Sequence, residues 1–192
     1  MMTMIKGVML LTAASLGLAA CGHKEETTTS NTVVANDTTV IDNDTAAMPV
    51  ASGGQSFANM AAASDAFEIA TSKAALATSS SAAIKKYAQK MIDAHTASTA
   101  KLKATAASLT PAITPNPALN AEQEQKLAAL TAKTGADFDQ DYIAEQTAAH
   151  QQTLDTLKGY AATGDVPALK TFATGLVPTV AAHLNMAKAL KS

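Results

Sequence analysis

In four long runs between residues 57 and 190, apolar side chains return every three or four positions, the spacing of one buried face of an α-helix. The first run predicts a helix from Phe57 to Ala77, with a seam of Phe57, Ala61, Ser64, Phe67 with Glu68, Thr71 and Ala75. Ser64 and Thr71 are tolerable on a seam because their hydroxyls can bond back to the preceding turn. The second run predicts a helix from Ala82 to Leu109, with Ile84, Tyr87, Ala88, Met91, His95, Ser98, Leu102 and Leu109 on one side. Ser80 or Ser81 can cap its start, and Thr110-Pro111 ends it, because a proline disfavours helical geometry in the residue before it. The third runs from Asp137 to Ala162 and carries Phe138, Tyr142, Ile143, Leu154, Leu157 and Tyr160, with Gln146, His150 and Thr153 on the same stripe. Gly164 ends it and Asp165 is expected to cap the fourth, which runs to Leu190 over Leu169, Phe172, Leu176, Val180, His183, Ala187 and Leu190. Pro178 should kink that last helix.

Between the second and third runs lies a proline-bearing crossover, Pro111 to Asn120. Asn120 and Gln123 have the spacing of a capping box, which predicts a short helix from Ala121 to Lys133, stopped at Thr134-Gly135. No window shows the sustained two-residue alternation of a half-buried strand. The pattern therefore predicts an all-α fold, a four-helix bundle with a short extra helix in its middle crossover, over residues 56 to 192. That length suits one domain. Alanine is frequent on the seams and buries little, so the aromatic and leucine positions must supply most of the hydrophobic stabilisation, at roughly 1.5 to 3 kcal/mol per fully buried large side chain.

The residues before the bundle read differently. A short, weakly positive start, Met1 to Lys6, precedes an uncharged apolar stretch from Gly7 to Ala20. In length and order this is a secretory signal, too short to span a bilayer as a helix. It ends at Leu18-Ala19-Ala20-Cys21-Gly22, which resembles the lipobox of bacterial lipoproteins, and Cys21 is the single cysteine of the chain. The resemblance implies cleavage before Cys21, a lipid on its thiol, and no thiol left for disulfides or metal. Gly22, rather than aspartate, leans this expectation towards the outer membrane. Residues 21 to 55 form a segment rich in Thr, Asn, Asp and Ser, too poor in large apolar groups to offset its ordering entropy. It reads as a flexible tether, closed by Gly53-Gly54, of about 33 residues and roughly 30 Å root-mean-square reach. His23 falls in it and is not expected to be a ligand. The net charge is −2, the charges are mixed, and no basic aromatic-rich stretch occurs, which argues against nucleic acid as a partner.

The chemistry that stands out is positional. Of the four histidines, His95, His150 and His183 fall on the apolar seams of three different helices, and Glu68 lies at the edge of a fourth. A bundle core gathers imidazoles and carboxylates either because they satisfy one another or because they hold something. Met91, one turn before His95, and Met186, three residues after His183, can share their histidine's face and would add thioether donors for copper(I). A carboxylate-bridged di-iron centre needs Glu-x-x-His on two helices, and the chain has none; Glu145 precedes His150 by five residues, which turns it off that face. A single transition-metal ion (zinc, iron or copper) held by His95, His150, His183 and Glu68 fits better than a pair. The other account is a buried polar network in which the histidines bond to Glu68, Gln146, Tyr87, Tyr142 or Ser98 and fix helix register. No Gly-x-Ser-x-Gly elbow is present for nucleophilic catalysis.

The run Tyr87-Ala88-Gln89-Lys90-Met91-Ile92-Asp93-Ala94-His95-Thr96, the Phe138-Asp139-x-x-Tyr142 element with His150 eight residues on, and His183-Leu184 together resemble the bacterial envelope family catalogued as domain of unknown function 4142. The resemblance covers about Phe57 to Leu190 and implies a ferritin-like bundle and an envelope compartment, without an activity. The family often has an acidic residue just before the histidine of the second helix; here it is Ala94. Counting residues from the helix ends, at about 1.5 Å rise each, places His95 and His150 level in either a simple or a ferritin order, and His183 off that level by more than a turn. The expected unit is a His95–His150 pair with Glu68 or His183 as third member, its rings within about 8 Å if they share a metal.

Two functions follow as expectations. One is a non-enzymatic, lipid-anchored helical protein on the periplasmic side of the envelope, acting in stress tolerance or through a protein partner. The other is a periplasmic metal-binding or redox protein that uses the histidine cluster. The anchor itself is testable: Cys21→Ser should abolish lipid attachment and move the protein to the soluble fraction, and unchanged membrane fractionation with no lipid on the wild type would defeat it.

Overall fold

A computed structural model describes residues 53–191, and within them the chain is all helix: α1 Gly53–Thr78, α2 Ala82–Ala107, α3 Ala121–Thr131, α4 Gly135–Thr163 and α5 Pro167–Ala189. The signal sequence, Cys21, His23 and the tether up to residue 52 lie outside the described residues. No helix among the described residues is long and apolar enough to cross a membrane.

Two apolar clusters define how the long helices run. Phe57 and Ala58 at the start of α1 pack with Leu102 near the end of α2, Leu154 and Leu157 near the end of α4, and Leu169 and Phe172 at the start of α5. At the other end, Ala75 of α1 packs with Ile84, Tyr87 and Met91 of α2, Phe138 and Tyr142 of α4, and Ala187 of α5. Helices α1 and α5 therefore run one way and α2 and α4 the other, with the crossover carrying the chain back along the side. Gln55 and Asn59 of α1 hold that crossover, through Gln55 Nε2 to the Thr114 carbonyl (2.8 Å) and the Asn116 N–H to Asn59 Oδ1 (2.9 Å). The short α3 buries Leu130 alone. Its capping box forms as the sequence predicts: Asn120 accepts from the Gln123 N–H, and Gln123 accepts in return. Ser81 likewise caps α2 by accepting from the Ile84 N–H.

Several local expectations are corrected. Helix α1 starts a turn earlier than predicted and takes up Gly53-Gly54, which read as a loop signal. The glycines are there because another segment comes close. A side chain on Gly54 would stand 2.6 Å from Val166 Cγ2, and one on Gly53 would stand 2.9 Å from the Asp165 carboxylate. Asp165 is not the cap of α5, whose first turn follows Val166 with Pro167 at its head. Its carboxylate instead accepts from the Gly54 N–H (3.3 Å) and from the Tyr160 hydroxyl (2.8 Å), so the turn between α4 and α5 closes the N-terminus of α1. The Tyr160 bond is the main cause holding the Asp165 carboxyl below its ordinary pKa. Gly164 ends α4 with an extended backbone, not a left-handed one, and a Cβ there would meet the Tyr160 carbonyl at 2.5 Å. Finally, α2 stops at Ala107, before the residue that Pro111 restricts.

The seams also turn slightly. Ala58, Ala62, Asp65 and Ser72 are buried on α1, where Ala61 and Ser64 are only half-buried. On α2, α4 and α5 the large seam residues Ile84, Tyr87, Leu102, Phe138, Tyr142, Leu169 and Phe172 are all in the core. Because Gly54 sits against Val166 and Ile113, Gly54→Ala is expected to cost about 1 to 3 kcal/mol through overpacking, read as a lowered urea midpoint at unchanged slope.

Candidate metal centre

Between the two apolar clusters lies a polar layer: Asp65 and Glu68 from α1, His95 from α2, Gln146 and His150 from α4, and His183 from α5, all buried. Helical periodicity explains the gathering. Each side chain occupies the inward face of its helix at mid-height, so four helices converge on one level. The ring centroids of His95 and His150 are 5.5 Å apart, those of His150 and His183 also 5.5 Å, and those of His95 and His183 5.9 Å. One nitrogen from each ring lies within 4.8 Å of the others. Ligands about 2 Å from a tetrahedral ion stand roughly 3.3 Å apart, so the rings need close by no more than about 1.5 Å to share one.

Two of the rings are oriented from behind. His95 Nδ1–H donates to Asp65 Oδ1 at 2.7 Å, and Thr99 Oγ1 holds the other oxygen of that carboxylate at 3.0 Å. His150 Nδ1–H donates to the Gln146 carbonyl at 2.8 Å. With Nδ1 so engaged, the lone pair of the neutral ring sits on Nε2. Among the described residues, the buried side-chain nitrogens without a hydrogen-bonding partner are His95 Nε2, His150 Nε2 and His183 Nδ1. A ring nitrogen tied to a carboxylate or carbonyl with its opposite nitrogen left bare is the usual arrangement of a metal-ligating histidine.

Glu68 stands differently. Its Oε1 is 3.5 Å from His150 Nδ1, the nitrogen already bonded to Gln146, and neither of its oxygens has a hydrogen-bonding partner. It is a charge beside the cluster and not one of the three converging groups. Burial pushes its carboxyl up to about 7, against the pull of His95. Burial also lowers His150 to about 3 and His183 to about 4, with the neighbouring His95 charge pushing the same way. Burial would lower His95 too, but the Asp65 hydrogen bond and the Glu68 and Asp65 charges outweigh it and hold this ring above its ordinary value. Two neutral imidazoles thus face one imidazole that favours a proton.

The structure corrects the ranking of the sequence candidates. His183 is level with the other two. The count placed it too near the helix end because it set the end of α5 level with the start of α2; Met186 Sδ lies 3.5 Å from Lys90 Nζ, two turns into α2, so α5 ends short of the start of α2. The same contact turns the Met186 sulfur to Lys90 at the surface. Met91 is buried in the apolar cluster with Ile84 and Tyr87. Of the expected network partners, Tyr142 bonds to Ser72 (2.9 Å), Gln146 Nε2 donates to Thr71 (3.1 Å), and the Tyr87 hydroxyl has no partner. Asp65 and Thr99 escaped the sequence reading. The available signal was spacing: Asp65 lies three residues before Glu68, and Thr99 one turn after His95, so each shares a face with a residue already singled out.

The fold and this site define an all-helical bundle with a buried three-histidine cluster at its middle. The chain matches the family described as Domain of unknown function (DUF4142) over residues 41–190, well over half its length, and belongs to that family. No curated protein and no solved structure is matched.

The raised Glu68 carboxyl has a signed consequence for the metal-free protein. Its neutral form is favoured by folding, so its contribution to stability is full below its unfolded value of 4.5 and is lost as pH rises through 7. Glu68→Gln removes a buried, unpaired charge at pH 8 and almost nothing at pH 4. Urea unfolding should therefore show a gain for the variant at pH 8, with a ceiling on the order of 3 kcal/mol, and little change at pH 4. An equal effect at both values would contradict this account.

Proposed function

We propose that this protein binds a single transition-metal ion through His95, His150 and His183, at the centre of a ferritin-like four-helix bundle anchored in the cell envelope. One observation carries the reading. Three buried imidazoles, one from each of three helices, bring one ring nitrogen apiece within 4.8 Å of the others, and each ring carries a buried nitrogen with no hydrogen-bonding partner among the described residues. A structural polar network would be expected to satisfy its members, because an unpaired buried polar atom costs about 1 to 3 kcal/mol. A cation would answer the three ring nitrogens at once and would place a positive charge near the Glu68 carboxylate, whose oxygens also lack hydrogen-bonding partners among the described residues.

The donor set narrows the metal. Three imidazoles without thiolate or thioether suit zinc(II), copper(II) or iron(II) rather than copper(I). Asp65 and the Gln146 carbonyl fix the rings, and the nearby Glu68 carboxylate supplies negative charge that partly balances a dication. The ferritin-like description is supported by the helix directions and by the crossover between α2 and α4. It is a likeness of topology, and the missing Glu-x-x-His pairs argue against a di-iron oxidase. The compartment we propose rests on the sequence: a lipid on Cys21, the periplasmic side of the envelope with the outer membrane favoured, and no nucleic-acid partner. A role in envelope stress or through a protein partner is compatible with metal binding and has no separate support in the site.

The test is metal stoichiometry. The purified chain should bind one zinc(II) or copper(II) ion, and His95→Ala, His150→Ala or His183→Ala should each remove tight binding. Asp65→Asn, which leaves the ligands and alters the orienting bond, should weaken it by about 10- to 100-fold. Circular dichroism on each variant separates lost ligation from lost folding. Wild-type protein that stays metal-free under titration would end this reading and leave the polar clasp in its place.

A further inference from the structure

Resting on the metal reading, a second feature becomes informative. A small cleft of about 40 Å³ is lined mainly by α2 and α5, with α1 and α4 contributing, and His95, His183 and Asp65 are its buried polar members. Thr179 at its mouth is exposed and Ser98 is half-buried, while Leu176 and Val180 line its wall. The seam between α2 and α5 is looser than those joining α1 to α2 or α4 to α5, which is why the gap survives beside a packed core.

We propose that the three-histidine centre keeps one coordination position open towards this cleft, and that the position takes a small monodentate inorganic anion from solution. Three protein ligands leave a tetrahedral ion one short, the pattern of a metal site that exchanges a ligand rather than a closed structural one. Among the described residues no further carboxylate, imidazole or thiol joins the three imidazoles. Glu68 stands beside His150 Nδ1, the orienting side of that ring, and Asp65 has both oxygens engaged by His95 and Thr99. The size of the cleft selects the ligand. The space holds only a few water-sized groups, which suits a ligand of two or three heavy atoms. The three imidazoles add no negative charge of their own, so the ion still favours an anionic fourth ligand over a neutral one, although Glu68 and Asp65 beside the rings offset part of its charge. The Ser98 and Thr179 hydroxyls give such an anion hydrogen-bond donors on its way in.

The test uses the full chain loaded with copper(II), with metal content measured before any ligand is added. Azide should then change the visible absorption and the electron paramagnetic resonance spectrum saturably, at one azide per copper and with copper retained. Phosphate, too bulky for the cleft, should leave both spectra unchanged. Thr179→Leu should weaken azide binding at least tenfold at unchanged copper stoichiometry, and Ser98→Leu, on the opposite helix, should do the same. Copper held at one per chain with spectra indifferent to azide would overturn the open position, as would a spectral change that tracks loss of copper. Equal binding of azide to the wild type and both leucine variants would overturn the cleft as its route. Failure to take up copper at all is read before azide enters, and it refutes the metal centre itself.

Discussion

The middle of this bundle depends on the contact between Asp65 and His95. It is a 2.7 Å hydrogen bond between a carboxylate and an imidazole, both buried, on two antiparallel neighbours. A charge so far from water is tolerable only when it is paired and further hydrogen-bonded, and Thr99 completes that requirement. The contact fixes the rotation of His95 about its own axis, and so fixes where Nε2 points. It also sets the register of α1 against α2, because a slip of either helix by one residue would strand the carboxylate. His150 is held by an independent bond to the carbonyl one turn before it, which needs no second helix. The centre is therefore assembled from one inter-helical and one intra-helical orienting bond.

Around this layer the apolar residues are divided rather than continuous. Phe57, Leu157, Leu169 and Phe172 close one end, with Tyr160 stacked on Phe57 at 3.9 Å between ring centroids, and Tyr87, Phe138 and Tyr142 close the other. Alanines are part of both clusters, and their small side chains let backbones approach while burying little. The large residues at the two ends carry most of the hydrophobic stabilisation and exclude water from the layer between them. That exclusion is what drives the Glu68 carboxyl up and the His150 and His183 imidazoles down. A polar layer held dry by its neighbours keeps two imidazoles neutral under ordinary conditions, which is the state a metal ligand requires.

Much of this was legible in the residue pattern. The four long helices, the short helix of the crossover and its capping box, and the large apolar residues of each seam follow from periodicity and capping chemistry, which act within one or two turns of chain. The four groups first singled out, Glu68, His95, His150 and His183, are all buried in the layer. What could not be read concerned relations between segments. Gly53-Gly54 looks like a loop signal until Asp165 and Val166 are seen against it. Asp165 looks like a cap for the helix that follows it and serves the one that begins the bundle. Asp65 lies on the boundary of the α1 seam, and only the packing of α2 against that boundary makes it a partner.

His183 shows the division most clearly. The sequence by itself determined that it faces the core, because facing depends on a period of about 3.6 residues within one helix. Whether it meets His95 and His150 depends on where α5 stops relative to α2, an offset set by packing between helices and carried by no local spacing. Only the tertiary structure decided that, and with it whether the bundle holds a pair of histidines or a set of three. The same holds for the methionines, which share a face with their histidines in sequence and are turned to Lys90 and to the apolar cluster in the fold. Local periodicity selects the residues that can enter a site; the relative shift and rotation of packed helices select those that do.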